Sequence, residues 1–325
     1  MGRNTPGEAG TAETGGPRPG VVRYLVTPNL SDLRLDQGLA HLAGVSRRHA
    51  RSLVAAGRLW LNGRATRVLS RGLHLGDVLD VLPEGEELKP PTPSPLLSIL
   101  HEDHWIIAVD KPAGLATQPP QRRSPGELTA HESVLLQLAA RDGRRREVLL
   151  FHRLDRLTTG VLVFARHHDA ARGLATAWGT AAVQKRYLVV VSGDPGGGTM
   201  TLDGAIAPDP RVPGRFRVAR HGKPASTRVR RIATLGALAL VEASPATGRT
   251  HQVRVHLAEA GCPVTGDRLY GGGAGVPRPF LHAWRLSFPH PRGGRVVRLV
   301  APVPPDMAAF LAALGVPSEA VAAAR

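Results

Sequence analysis

Apolar positions along this chain follow two periods, and the switch between them divides it. Leu35, Leu39 and Leu42 recur at the spacing of one helix face. A second helix follows, with Ser46 suited to its N-cap and Gly57 to the position just past its end. Along it Ala50, Leu53 and Val54 make one side. Arg47 and Arg51 lie a turn apart on the other, with Arg48 beside them. Arg58-Leu59-Trp60-Leu61 and Arg64-Ala65-Thr66 then flank Asn62-Gly63, a strong β-hairpin signal. Residues 73–82 read as another strand, entered through a turn at Gly76-Asp77. Beyond residue 96 the pattern becomes short apolar runs rich in branched side chains, at 106–109, 160–164, 187–191 and 238–241, which read as buried strands. Helical patterns lie among them at 133–140 and 169–177. The mixture predicts an α/β or α+β domain around a large sheet, whose strand order periodicity does not fix.

Proline and glycine punctuate these blocks. Residues 1–20 hold no apolar side chain larger than Ala apart from Met1, and read as a disordered tail. Residues 83–95 carry Pro83, Pro90, Pro91, Pro93 and Pro95 and read as an extended, semi-stiff linker. The organisation is therefore a tail, a small domain over 21–82, the linker and a large domain over 96–303. Residues 304–325 close it with a short helix, over 305–314, and an Ala-rich tail. No internal repeat interrupts this order.

Charge sharpens the picture. The 325 residues contain 42 Lys plus Arg against 26 Asp plus Glu, a formal charge of +16. Lys occurs only at 89, 111, 185 and 223, so 38 of the cations are Arg. Codon preference is one reading of that ratio, but it does not explain the excess over acid. Guanidinium groups fork onto phosphates and stack on bases, so the excess suits nucleic acid. Residues 21–82 concentrate it, with nine arginines against four aspartates and a net charge of +5. Arg47, Arg48, Arg51, Arg58 and Arg64 are the candidate RNA contacts there. Aromatic residues at 4% argue against a single-strand binder built on stacking. A hydrophobic fraction of 42% is enough for a core, and no apolar run approaches the roughly 18 residues of a membrane helix. No signal-length apolar stretch opens the chain, and one cysteine, Cys262, forms no internal disulfide. The expectation is a cytoplasmic protein with a polyanionic partner and no membrane attachment.

Two segments carry candidate chemistry. Phe151-His152-Arg153-Leu154-Asp155-Arg156-Leu157-Thr158-Thr159-Gly160 sets one carboxylate between two arginines just before an apolar run. Neighbouring cations keep an Asp ionised, as a nucleophile or base requires, although a surface ion pair beside a turn reads the same way. Thr247-Gly248-Arg249-Thr250-His251-Gln252-Val253-Arg254-Val255-His256-Leu257 is the second. Thr250 suits a helix N-cap and Gly261 a helix end, which would put His251 and Arg254 on one face near the N-terminus, a place for an anionic group. The alternation over 252–257 equally fits a strand, and the capping signals favour the helix. His251 and His256, five apart without a Cys or acidic partner, make a poor metal site.

The chain also resembles known families. Arg34-Leu35-Asp36, Val45-Ser46-Arg47-Arg48, Ala56-Gly57-Arg58-Leu59-Trp60-Leu61-Asn62-Gly63 and Leu75-Gly76-Asp77 resemble the S-four-type RNA-binding domain, in which the second helix and the hairpin loop contact RNA. Most of 97–303 resembles the RluA-type pseudouridine synthases. The match runs through Leu100-His101-Glu102-Asp103, Val109-Asp110-Lys111-Pro112-Ala113-Gly114-Leu115, His152-Arg153-Leu154-Asp155, Gln184-Lys185-Arg186-Tyr187 and Gly222-Lys223-Pro224-Ala225. It continues with Gly248 through Leu257, Gly266-Asp267-Arg268-Leu269-Tyr270-Gly271 and Leu281-His282-Ala283-Trp284 to Phe288-Pro289-His290-Pro291. Leu157 and Thr159 depart from the family, which often has a polar residue and Ser there.

The resemblance implies a mixed, mainly antiparallel sheet and an isomerase that detaches uracil from its ribose in RNA, turns it and rejoins it through carbon, with no cofactor or metal. Asp155 matches the essential aspartate and Tyr187 the tyrosine that stacks on the target base. Arg254 matches the arginine paired with the carboxylate, and Arg153 the one that enters the space left by the flipped nucleotide. Arg249 and His251 are added as candidate RNA contacts. Large-subunit ribosomal RNA is the expected substrate and transfer RNA the alternative; no obligate protein partner is implied. A non-catalytic RNA-binding assembly factor on the same fold would be favoured by a degraded Asp155, Tyr187 or Arg254, and none is. A glycoside or nucleoside hydrolase needs a second acid near Asp155, where the motif offers Arg153 and Arg156.

Overall fold

A computed structural model describes residues 20–83, 85, 87–89, 96–119, 127–273 and 275–316. The expected tail over 1–20 (Gly20 excepted), most of the linker and the chain after 316 lie outside the described residues. Two compact units divide the chain: 1–96 with 132–146, and 97–131 with 147–325.

The first unit holds β1 (Val22–Leu25), α1 (Leu35–Ala43), α2 (Arg47–Ala55), β2 (Leu59–Leu61), β3 (Arg64–Ala65) and β4 (Val78–Val81). Its antiparallel sheet runs β1-β4-β2-β3, and Leu35, Leu39, Ala50, Leu53 and Val54 of the helices join Tyr24, Leu59, Leu61 and Leu79 in one core. Ser46 caps α2 as expected, accepting the His49 N–H, and Gly57 turns past its end at φ +75. Asn62 and Gly63 take positive φ at the β2–β3 corner, which their sequence anticipates. The strand expected over 73–82 is shorter. Gly72 bridges Arg34, and Asp77 accepts the His74 N–H and an Asn62 amide N–H, so the segment before Val78 folds as a turn. The segment 132–146, mostly α3 (Ala130–Asp142), belongs to this unit as well; the Arg145 N–H donates to Asn62 Oδ1 at 3.1 Å.

The second unit contains β5 (Ser98–Glu102), β6 (Ile106–Lys111), β7 (Thr159–Ala165), α4 (His168–Ala177), β8 (Gln184–Ser192) and β9 (Thr199–Asp203). A small hairpin follows, β10 (Ile206–Pro208) and β11 (Phe216–Val218), then β12 (Ser226–Leu235), β13 (Leu238–Pro245), α5 (Gln252–Glu259), β14 (Leu281–Pro289), β15 (Val296–Val300) and α6 (Pro305–Ala313). Nine strands form one sheet in the order β5-β6-β7-β14-β8-β13-β12-β9, with β15 on β14. Every pairing is antiparallel except β7 with β14, which touch over two residue pairs, Thr159 with His282 and Gly160 with Ala283. Gly160 makes this approach possible: a Cβ there would lie 2.2 Å from the Ala283 carbonyl oxygen.

Alternation along β8 explains the layers. Val189 and Val191 face α5 through Val253 and Leu257, while Leu188 and Val190 face α6 through Met307 and Leu311. Cys262 is buried beside the first of these layers. Among the described residues no helix is long and apolar enough to cross a membrane.

Candidate active site

Asp155 lies on the short connection leading into β7, and the backbone around it is pinned from several sides. Thr117 Oγ1 accepts the Leu154 N–H and donates to the Leu154 carbonyl. The Thr158 N–H closes a turn onto the Asp155 carbonyl at 3.1 Å. Lys111, fully buried, donates to the carbonyls of Pro112, Leu115 and Arg156. Burial pulls the Lys111 ammonium down to about 7 against the opposing pull of Asp155. His152 of the same motif is structural: its Nε2 accepts the Val163 N–H, and burial together with Lys185 lowers it to about 3.

The cation that holds Asp155 is neither sequence neighbour. Arg156 turns away to the Gly114 carbonyl and Glu127, and Arg153 is exposed on the cavity lining. Arg254 of α5 donates through Nη1 to Asp155 Oδ2 at 3.1 Å. Its Nε and Nη2 fork onto buried Asp267 at 2.6 and 2.9 Å, which fixes the guanidinium plane. Burial alone would lower Arg254; the carboxylates of Asp267 and Asp155 outweigh it and leave the guanidinium above its ordinary value. The Asp267 loop can approach only because Gly272 has no side chain: a Cβ there would sit 1.7 Å from the Val264 carbonyl oxygen.

The helix alternative for 252–257 is the one realised, but Thr250 does not cap it. His251 occupies the N-cap in a left-handed backbone, φ +57 and ψ +17, without a capping side-chain bond. Gln252 organises the preceding loop instead. Its Oε1 accepts from Thr247 Oγ1 and the Arg249 N–H, and its Nε2 donates to Ser226 and Thr227. The anionic group near this helix start is Asp155 itself, 3.7 Å from His251 Nε2. His256 faces elsewhere, tied to Thr227 and Gly204. Among the described residues no three His, Cys, Asp or Glu side chains are gathered as a metal would need.

Tyr187 completes the wall. It lies on β8 opposite Ala283 and Ala243, whose small side chains leave room for its ring. Burial, and then the Asp155 charge, push its phenol well above the usual tyrosine range. Asp155, Tyr187, Arg254, Arg153, His251 and Arg249 all line a cavity of about 480 Å³. Arg249 is exposed, with Nε on the Pro224 carbonyl. Arg47, Arg48, Arg51, Arg58 and Arg64 lie in the other unit, and three of them are more committed than their sequence suggests. Arg47 and Arg51 pair with Asp36, and Arg58 Nε donates to the Leu82 carbonyl at 3.0 Å; Arg48 and Arg64 are exposed. Sequence reasoning gave no role to Asp267 and Tyr270, although their motif was visible.

Residues 105–259 match the family described as RNA pseudouridylate synthase. Ribosomal large subunit pseudouridine synthase D of Nitrosomonas europaea is 33% identical over 317 residues, covering 90% of this chain and 88% of that relative. The protein of the same name from Xylella fastidiosa is 36% identical, covering 91% and 93%. Among solved structures, human RNA pseudouridylate synthase domain containing 4 superposes with a TM-score of 0.55 at 26% identity, over 67% of this chain and 93% of that one. With near-complete coverage at this identity, and with the motifs assembled around one cavity, the chain belongs to the RluA-type family of RNA pseudouridine synthases.

Proposed function

We propose that this synthase isomerises uridine in large-subunit ribosomal RNA and that Asp155 carries the chemistry. The observation that carries the reading is one carboxylate, held on one oxygen by Arg254, in a cavity walled by Tyr187 and arginines. The reaction breaks the N1–C1′ bond of a uridine, turns the base and forms a C5–C1′ bond; the C5 proton leaves and N1 gains one, so nothing is oxidised or reduced. Asp155 either adds to the sugar or removes its 2′ proton. Both routes need an ionised carboxylate beside the ribose, and Arg254 supplies the compensating charge.

A base inside a stack cannot turn, so the nucleotide is extruded into the cavity at a cost of a few kcal/mol. Tyr187, protonated at neutral pH, offers a ring for the uracil to lie on. Arg153, exposed beside Asp155, fills the space the nucleotide leaves. Residues 21–82 act as an S-four-type RNA-binding module, with exposed Arg48 and Arg64 among its phosphate contacts and Arg249 adding one near the cavity. The ribosomal choice rests on the names of the two relatives above. Pseudouridine mapping of total RNA with and without the gene tests it: sites lost from large-subunit RNA support the reading, and losses confined to transfer RNA replace it.

A further inference from the structure

We propose that His251 is a positioning residue for Asp155 rather than an RNA contact, its tautomer set by Tyr270 so that His251 and Arg254 together hold one carboxylate oxygen and leave the other to react. The proposal rests on the reading of Asp155 as the reacting group.

Four observations build it. First, the Tyr270 hydroxyl accepts the Phe216 backbone N–H at 2.9 Å and lies 2.9 Å from His251 Nδ1. Of the two tautomers this contact allows, the one in which the phenol donates to Nδ1 turns an N–H toward Asp155, whereas the other would set the Nε2 lone pair against the carboxylate. In the first, the neutral imidazole carries its single proton on the other nitrogen. Second, that other nitrogen, Nε2, faces Asp155 Oδ2 at 3.7 Å, the oxygen that Arg254 Nη1 already reaches at 3.1 Å. A small closure on substrate brings the imidazole into hydrogen-bond range, as catalytic contacts often tighten only in the complex. Both donors converge on Oδ2, so Oδ1 is the oxygen presented to the ribose. Third, His251 takes a left-handed backbone, uncommon for a residue other than Gly, which lifts its ring out of the helical path and against Tyr270. Fourth, its side chain is only 17% exposed and lines the cavity beside Asp155 rather than the outer surface. Tyr270 supports both donors, since the Arg254 guanidinium lies 5.0 Å from its ring centre.

The charged and titratable groups facing His251 are Asp155 and Arg153 from the segment before β7, Arg254 from α5, and Asp267 and Tyr270 from the loop beyond it. Burial lowers His251 first, Asp155 and Asp267 oppose it, and Arg254 and Arg153 reinforce it; the balance lies below the ordinary imidazole value. The imidazole is therefore neutral at pH 7. On acidification the incoming proton falls on Nδ1, so the Tyr270 hydroxyl must turn from donor to acceptor and the ring beside Asp155 becomes charged.

The test is single-turnover pseudouridine formation at saturating enzyme, with RNA binding measured alongside and folding checked by thermal melting. His251→Ala is expected to slow the chemical step about 10²-fold, the scale of a misplacement near 1 Å, with RNA affinity unchanged. His251→Gln keeps an N–H near the Nε2 position and is expected to recover at least about a tenth of the wild-type rate. Its acid limb should lose the contribution of the imidazole, because an amide does not titrate in this range. Tyr270→Phe is expected to slow the step by less and in the same direction. Should His251→Ala fail to fold, His251→Gln and Tyr270→Phe carry the test. Weaker RNA binding with an unchanged saturated rate would overturn the proposal, as would a His251→Gln variant no better than His251→Ala. An active Asp155→Asn enzyme would instead remove the underlying reading of Asp155, whatever His251 does.

Discussion

Asp36 and Asp155 are both aspartates surrounded by arginine, and they are built for opposite ends. Asp36 is fully buried and both its oxygens are occupied: Oδ1 accepts from Arg34 at 3.2 Å, and Oδ2 from Arg47 at 3.1 Å and Arg51 at 2.9 Å. Burial opposes its charge, but the three guanidinium groups prevail and hold the carboxyl at about 2. Asp155 keeps 21% of its side chain exposed, and its two neighbours, the Arg254 guanidinium and the His251 imidazole, converge on one oxygen. The first arrangement exhausts the carboxylate and ties α1 to α2. The second holds a carboxylate still while leaving it something to do. Saturation of the acceptor, more than the presence of arginine, separates the Asp36 cluster from the carboxylate proposed to react.

Removing each charge in turn breaks this comparison at its sharpest point. Asp155→Asn is expected to cut single-turnover pseudouridine formation by about 10⁴-fold or more while RNA binding, followed by filter retention or anisotropy, survives. Substantial turnover by the purified variant would dissolve the distinction. Asp36→Asn should do the reverse. It removes the buried anion that three half-exposed arginines share, so the first unit should lose about 1–2 kcal/mol, discounted for their exposure, while the saturated chemical rate holds.

Acid provides a graded version of the same test. The folded Asp36 carboxyl is lowered from 3.8 to about 2, so the stability it contributes is present above about pH 4 and is lost as pH falls through 2. Denaturant melts of wild type and Asp36→Asn should therefore converge across that window; parallel curves would show that the carboxylate contributes nothing net. The smallest effect is expected from Arg48→Ala. Arg48 is exposed and has no ion pair among the described residues, so its loss should reduce the salt slope of RNA binding by about one unit or slightly less. Replacing Arg47, Arg48 and Arg51 together should weaken binding further and also loosen α2, because two of the three hold Asp36.

Features that depend on a few consecutive residues were legible in the chain. The α2 cap at Ser46, the Asn62-Gly63 corner, the four apolar strands and the end of α5 at Gly261 follow from local backbone preference and alternation. The site motifs were legible as residues, and their order along the chain carried the family resemblance. Less visible were β9, β12 and β15, where exposed polar and charged residues interrupt the apolar pattern. Thr250 looked like a cap because its type is right; the cap went to His251 because the loop is held by Gln252 and the imidazole by Tyr270.

By itself, then, the sequence determined which side chains are candidates for the chemistry, the short elements that carry them and a positive charge suited to RNA. Only the tertiary structure decided how they pair. Arg153 and Arg156 adjoin Asp155 in the chain, yet the arginine that holds it is 99 residues away. That pairing follows from β7 meeting β14 at Gly160 and β14 lying against β8, with α5 on the face that carries Tyr187. Backbone preferences act over one turn or one hairpin. The partner of a buried charge is set by which strands become neighbours, and strand order is a property of the whole folded sheet.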